Sequence, residues 1–441
     1  MASCSQSVRR LFDVLEYLVD PRVGIIQEVT EVKKDAGGPD LFRFFAKACN
    51  TKAFVPQTNF GQAGGTSRDR STAMAKAIGE AIERYCSAMY QSDELPLHTA
   101  SNAPFFCTPP ESYALFSRKQ LAQENFEYHP FTSGSMVRWT PAIDAVTGET
   151  QFVPAAMVYL PYFFGEKESP IVPGISTGLA CHCSQAEAAI SAICEVVERD
   201  AFTITWQAAL NPTMLLLESL SEQNRELAAR YEKTGGRVFL FNITLDHGIP
   251  TILSVLQYAN PDAPALLVSA ASHPSPEIAV RKTLEELALC RSLGFSLKVQ
   301  IPPIPLTPHF DRIDSQLSHI RFFCEHSNAH LADFLFKANR QITFSELPDL
   351  TQKSPEEEWQ VLVERISSVG YQVLLADVTS PDIKELGLWV LRAIVPGFHP
   401  LFFGHRFRAL GGTRLWEVPQ KLGFEGISPE IGDNPVPHPY P

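Results

Sequence analysis

Two five-residue runs repeat one acidic pattern, Glu80-Ala81-Ile82-Glu83-Arg84 and Glu195-Val196-Val197-Glu198-Arg199. Each begins eleven residues after a helix-opening residue, Asp69 before Glu80 and Ser184 before Glu195. A third, degenerate copy runs from Ser275-Pro276 to Glu286 at the same spacing. Residues three or four apart share a helix face. Lys76, Glu80 and Glu83 therefore form one stripe, Glu187, Ser191, Glu195 and Glu198 a second, and Lys282 and Glu286 a third. Surface helices often carry solvated acids, and Ser184-x-x-Glu187 alone reads as a capping box. Around these acids, however, Ala, Ile, Val and Cys dominate. Carboxylates gathered in a partly buried place repel one another and call for cations. Magnesium takes oxygen ligands and shares them with phosphates. The repeat thus points to a pseudo-symmetric Mg-nucleotide site, built in a chain that has no Walker-type phosphate loop.

The elements that would position these acids alternate. Helices are expected over 70–90, 185–208, 276–293 and 355–369, and strands over 24–32, 238–244, 251–256, 266–270 and 373–379. Such alternation gives an α/β class, α+β in detail, with strand–helix repeats whose acidic helices converge. Asp or Ser as N-cap and Pro276 at the first helical position open the three helices. Leu11, Phe12, Val14, Leu15, Leu18 and Val19 lie at helical spacing, with Asp13 and Glu16 between them, so residues 1–21 read as a docking helix and not a secretion signal. At the other end, prolines at 435, 437, 439 and 441 remove amide donors and fix φ. Residues 431–441 should be a stiff, extended tail, and residues 22–430 one catalytic domain.

A net charge of -12 excludes the basic surface of a nucleic-acid binder. No run approaches the 18 apolar residues of a membrane span, and the expected location is cytoplasmic. Cysteines stand at 4, 49, 86, 107, 181, 183, 194, 290 and 324, with no CxxC pair. They read as ordinary reduced thiols.

Several separated segments resemble the YcaO-domain family of ATP-dependent peptide-modifying enzymes. They are the run at 77–85, Ser176-Thr177-Gly178-Leu179-Ala180, residues 187–199, His273-Pro274 leading to Glu286 and Arg291, Asp377-Val378-Thr379, Pro396-Gly397, and 414–419. The resemblance runs from about residue 22 to the end. It implies ATP and Mg²⁺ as cofactors. ATP would be held by Lys76, Glu80, Glu83, Arg84, Glu187, Ser191, Glu195, Glu198, Arg199, Lys282 and Glu286. Metal would be held by Glu80, Glu83, Glu187, Glu195, Glu198 and Glu286. The chain departs from the family pattern in having Gly65-Thr66-Ser67 for Gly-Lys-Gly, Lys76 for a Ser, Cys183 for an Asn, Lys282 for an Arg and Leu289 for a Gln.

The proline-rich end resembles the azoline-forming cyclodehydratase branch, whose tail reaches the active site. Pro441, through its carboxylate, and His438 are the candidate bases. The implied reaction closes Cys, Ser or Thr of a precursor peptide into thiazoline or oxazoline. Implied partners are that peptide, a separate leader-peptide-binding E1-like protein, a flavin-dependent azoline dehydrogenase and a second copy of the chain. Thioamide or amidine formation at the same ATP site is the alternative chemistry. A scaffold with a decayed nucleotide site is the non-catalytic one.

Overall fold

The computed structural model describes residues 6–33, 37–337 and 340–441. Cys4 and the first residues of the N-terminal segment lie outside the described residues. In chain order the strands are β1 (Ile26–Glu31), β2 (Phe42–Ala48), β3 (Gln62–Ser67), β4 (Leu97–His98), β5 (Val137–Asp144), β6 (Thr150–Pro154), β7 (Leu179–His182), β8 (Thr213–Leu215), β9 (Gly236–Asn242), β10 (Thr251–Tyr258), β11 (Leu266–Ser272), β12 (Gln341–Ile342), β13 (Leu374–Asp377) and β14 (Trp389–Ile394). The helices that matter here are α1 (Gln6–Asp13), α2 (Arg70–Cys86), α3 (Gln185–Gln207), α4 (Pro276–Gln300), α5 (Pro355–Ser368) and α6 (Arg414–Lys421).

Three sheets result. Their strand orders are β1-β2-β3, then β4-β5-β13-β14-β7 with β6 on β5, then β11-β10-β9-β8-β12. Neighbouring strands pair antiparallel, apart from β8 with β12. The strand–helix alternation therefore builds an α+β fold, because nearly all neighbouring strands run antiparallel rather than as parallel strands joined by crossover helices. β11 is buried along its whole length and β10 nearly so; both are mostly apolar, and the buried hydroxyls of Thr251, Ser254 and Ser272 are hydrogen-bonded.

Asp69 caps α2 by accepting from Thr72 N–H, and Ser184 caps α3 by accepting from Glu187 N–H. Ser275 precedes Pro276 without a side-chain cap bond. α2 buries Ala73, Ala77, Ile78, Ala81 and Ile82 in a core shared with Phe44, Ala46 and Val390. α3 is buried on nearly all sides, lying against β7, β14, β11 and α5. The expected N-terminal helix divides at Val14 into α1 and a short turn of helix over Leu15–Leu18. Among the described residues no helix is long and apolar enough to cross a membrane.

The last element, α6, is tied to α3 by a buried ion cluster. Arg414 Nε meets both Asp200 oxygens at 2.9 Å, and its Nη2 meets Asp246 Oδ1 at 2.6 Å. This pins the chain before the tail against the helix that carries Glu195 and Glu198.

Candidate functional site

Each acidic helix follows a strand at the edge of its sheet: α2 follows β3, α3 follows β7 and α4 follows β11. Each also lies against the edge strand of the next repeat, α2 on β7, α3 on β11 and α4 on β3, so the ring closes on itself. Edge strands present amides with no strand partner. The acids take them. Gly64 N–H donates to Glu80 Oε2 at 2.8 Å, Cys181 N–H to Glu83 Oε1 at 2.8 Å, and Gly178 N–H to Glu195 Oε2 at 2.9 Å. Two glycines permit the approach. A Cβ on Gly65 would stand 2.2 Å from the Ala73 oxygen, and one on Gly178, whose φ is +86°, 2.4 Å from the Ala393 oxygen.

The acids are short of positive charge. Burial raises the Glu83 carboxyl well above its ordinary range, and Glu80 and Glu195 add repulsion. Glu198 is pushed to about 7 by burial, with Glu286 adding to the rise. Burial also raises Glu286, against the pull of Lys282, Lys76 and Arg199. Arg84 Nη2 meets Glu80 Oε1 at 3.1 Å. Arg199 meets Glu195 Oε1 through Nη2 and Glu198 Oε1 through Nε, each at 3.4 Å. Lys282 stands in the field of Glu286, Glu198 and Glu195, which outweighs the burial that disfavours its charge. Ser191 lies one turn before Glu195 on the same face of α3. These cations leave three carboxyls still titrating high, which is the electrostatics a hard dication would correct. Among the described residues no group of three or more His, Cys, Asp or Glu side chains is arranged to hold a metal ion by itself. Mg²⁺ keeps several waters and takes one or two carboxylates together with phosphate oxygens, so it does not require such a group.

Two expected residues stand elsewhere. Lys76 Nζ bonds Glu285 Oε2 at 2.7 Å and the Thr66 carbonyl at 3.0 Å, while its charge also acts on Glu286. Glu187 was expected to hold metal; in this structure both its oxygens have hydrogen-bond partners. Oε1 accepts from Ser7 Oγ at 2.5 Å, and Oε2 faces His182 Nδ1 at 3.1 Å and Ser184 Oγ at 2.9 Å. The His182 bond leads the effects that hold this carboxyl down to about 2. Glu187 precedes Glu195 by eight residues, a rise of about 12 Å along the helix.

The tail enters the cluster. Pro437 to Tyr440 are buried, and Tyr440 Oη donates to Glu198 Oε1 at 2.5 Å. The Arg199 guanidinium lies 4.5 Å from the centre of the Tyr440 ring, and its Nη1 is 3.5 Å from the Pro441 main-chain oxygen. His438 does not fit the role of a base. Its Nε2 donates to the Phe402 carbonyl at 2.8 Å, its Nδ1 accepts from Tyr440 N–H at 3.2 Å, and its ring stacks on His319. Burial, with His319 adding, keeps it well below its ordinary range, so it is a neutral packing residue.

Sequence reasoning missed Tyr440, Glu285, Ser7 and Arg392. A tyrosine enclosed by prolines, and a lone arginine inside the apolar run Trp389-Val390-Leu391-Arg392-Ala393-Ile394, were the available signals for two of them.

With this geometry in place, comparison with known proteins is informative. A family model described as YcaO cyclodehydratase, ATP- and Mg²⁺-binding, matches residues 64–399. An uncharacterized protein of Methanothermobacter thermautotrophicus is 27% identical over 358 residues, which is 78% of this chain and 85% of that protein. Among solved structures, a heterocyclase in complex with substrate and cofactor superposes with a TM-score of 0.80 at 21% identity, covering 98% of this chain. The chain spans 57% of that heterocyclase, little more than half its length. YcaO from Methanopyrus kandleri, bound with AMPPCP and Mg²⁺, gives a TM-score of 0.64 at 21% identity, covering 89% of this chain and 90% of that one. At these identities the structural matches establish the shared fold.

Proposed function

This chain belongs to the YcaO family, whose members bind ATP and Mg²⁺, and on that premise we propose that it closes Cys, Ser or Thr residues of a ribosomal precursor peptide into azoline rings. The observation that carries the reading is the meeting in one place of acids short of positive charge and the proline-rich tail, with Tyr440 on Glu198 and Pro441 beside Arg199. A tail seated there has a reason to touch the reacting amide, which a plain nucleotide-hydrolysing site would not need.

In this proposal Glu80, Glu83, Glu195, Glu198 and Glu286 would hold the metal, and Arg84, Arg199 and Lys282 would meet the phosphates. Glu187, bonded to Ser7 and His182, lies about two helical turns from Glu195 and would stand apart from the metal. Bound Mg²⁺ and ATP supply charge neutralisation and a transferable γ-phosphoryl group. The substrate's thiol or hydroxyl attacks the preceding carbonyl carbon, and the carbonyl oxygen becomes an oxyanion. Phosphorylated, that oxygen leaves as phosphate while the carbon–nitrogen double bond of the ring forms. The chain's own part is to hold the amide against the acids, exclude water and accept protons from the nucleophile and the amide nitrogen. Pro441, where it carries the free carboxylate, is the proposed acceptor, since Arg199 would keep it ionised.

The peptide and a separate peptide-binding protein are the proposed partners, and residues 1–21, 22–430 and 431–441 the proposed docking helix, catalytic domain and tail. The test is to incubate the protein with ATP, Mg²⁺, a precursor peptide and its partner, and to weigh the peptide over time. Loss of one water's mass per ring, only with ATP, is the expected result. Exchange of oxygen for sulfur in the peptide would replace azoline formation with thioamide chemistry.

A further inference from the structure

Arg392 is 5% exposed and projects from β14 in the middle of a sheet. Its Nη2 donates to the Ile175 carbonyl at 2.7 Å. Its Nε and Nη1 are buried and meet no acceptor among the described residues. An unsatisfied buried guanidinium is costly, because both its charge and its donors have left water. Burial brings it down to about 10, with Glu195 the charge that favours its protonated form and Arg84 one that opposes it.

The surroundings show where the open donors belong. Arg392 and Glu195 grip the two ends of one short segment, Ile175 through its carbonyl and Gly178 through its amide. Ala393 N–H ties the same segment to β14 by donating to the Gly178 carbonyl at 2.8 Å. The guanidinium thus belongs to the corner of the site built by Glu195, Glu80 and Arg84. A metal cation is excluded as its ligand by charge. A carboxylate of the chain is available nearby in Glu195, yet that group is bonded to Gly178 and Arg199 instead. What fits is an external oxyanion. Metal held by these acids would bring phosphoryl oxygens towards this corner, and a planar fork matches them well.

We propose that Arg392 is a phosphoryl anchor, donating Nε and Nη1 to oxygens of the nucleotide's β- or γ-phosphate while Nη2 stays on Ile175. The proposal rests on the nucleotide part of the functional reading and is independent of the ring chemistry. It assigns a phosphate contact to a strand residue outside the three acidic helices.

The test is calorimetric, with Mg²⁺ present, on Arg392→Gln and Arg392→Lys beside the unaltered protein. ATP and AMP are titrated into each. Loss of a charge-assisted contact predicts that Arg392→Gln weakens ATP binding by about 10- to 100-fold and leaves AMP binding unchanged. Arg392→Lys should fall between, since it keeps the charge and loses the fork. A far-ultraviolet dichroism spectrum and a melting curve establish that each variant is folded; Arg392→Lys carries the test if Arg392→Gln is not. Unchanged ATP affinity in a folded variant overturns the proposal. So does equal weakening of ATP and AMP, which would mean that Arg392 only braces the 175–178 segment. Peptide that stays unmodified in the presence of tight Mg-ATP binding would refute azoline formation and leave this assignment standing.

Discussion

Replacing Glu198 by Gln should stabilise the nucleotide-free protein at pH 8 and abolish its use of Mg-ATP. Glu198 is 6% exposed and stands at about 7 against an ordinary 4.5, burial being the first cause and Glu286 adding to it. A carboxyl whose folded value lies above its unfolded one costs the fold nothing below pH 4.5, where both states are protonated. The cost grows as pH rises through the window between about 4.5 and 7, and is complete above it. At about 1.4 kcal/mol per unit, the gap corresponds to about 3 kcal/mol. Glutamine imitates the protonated acid and still accepts the Tyr440 hydroxyl. Urea unfolding of both proteins at pH 4.5 and pH 8, without nucleotide, should give near-equal stabilities at the lower pH and an advantage of up to about 3 kcal/mol for Glu198→Gln at the higher. Adding Mg²⁺ and ATP should stabilise the unaltered protein strongly and the variant little, with phosphate release lost. A variant less stable than the parent at pH 8, or one equally protected by Mg-ATP, would show that Glu198 is not an uncompensated metal-facing acid.

Other outcomes follow from the same geometry. Tyr440→Phe keeps the packing but removes the hydroxyl that favours ionised Glu198, so Mg²⁺ affinity, which needs the carboxylate, should come in at higher pH; isothermal titration across pH 6 to 8 measures the displacement. Glu83→Gln should remove phosphate release while the dichroism spectrum is unchanged, because the amide can still accept from Cys181 N–H. Arg414→Ala leaves Asp200 buried without its partner and should cost about 3–5 kcal/mol in denaturant unfolding, with tail-dependent activity lost alongside. Ring formation should be slow with the protein alone and rise markedly with the peptide-binding partner, as read by peptide mass against time.

The acidic helices were legible in sequence because their signal is local: a cap, an apolar period and an acid pair at fixed spacing. Asp69 and Ser184 open α2 and α3 where expected, and α3 ends at Gln207 within a residue of the expected boundary. α4 runs to Gln300, further than expected, because Leu297 still finds core to pack against beyond Gly294. What could not be read is which acid meets which partner. Lys76 goes to Glu285 and Glu187 to Ser7, contacts that join residues 209 and 180 positions apart. The tail was expected as a stiff, extended segment beside the catalytic domain. Instead Tyr440 and His438 are buried members of the molecule's interior, packed on Phe202 and Phe402. A proline-rich composition reports the stiffness of such a segment but not the hydrophobic surface waiting to receive it.

The measurement closest to the central claim follows an oxygen atom. A precursor peptide carrying a heavy oxygen isotope at the amide carbonyl before the cyclised residue is incubated with the protein, its partner, ATP and Mg²⁺, and the released phosphate is analysed by mass. If the amide is activated by phosphorylation at these carboxylates, the label leaves the peptide and appears in the phosphate, one labelled phosphate for each ring closed. Rings that form while the label goes to water, or phosphate that is released unlabelled from an unchanged peptide, would contradict the account.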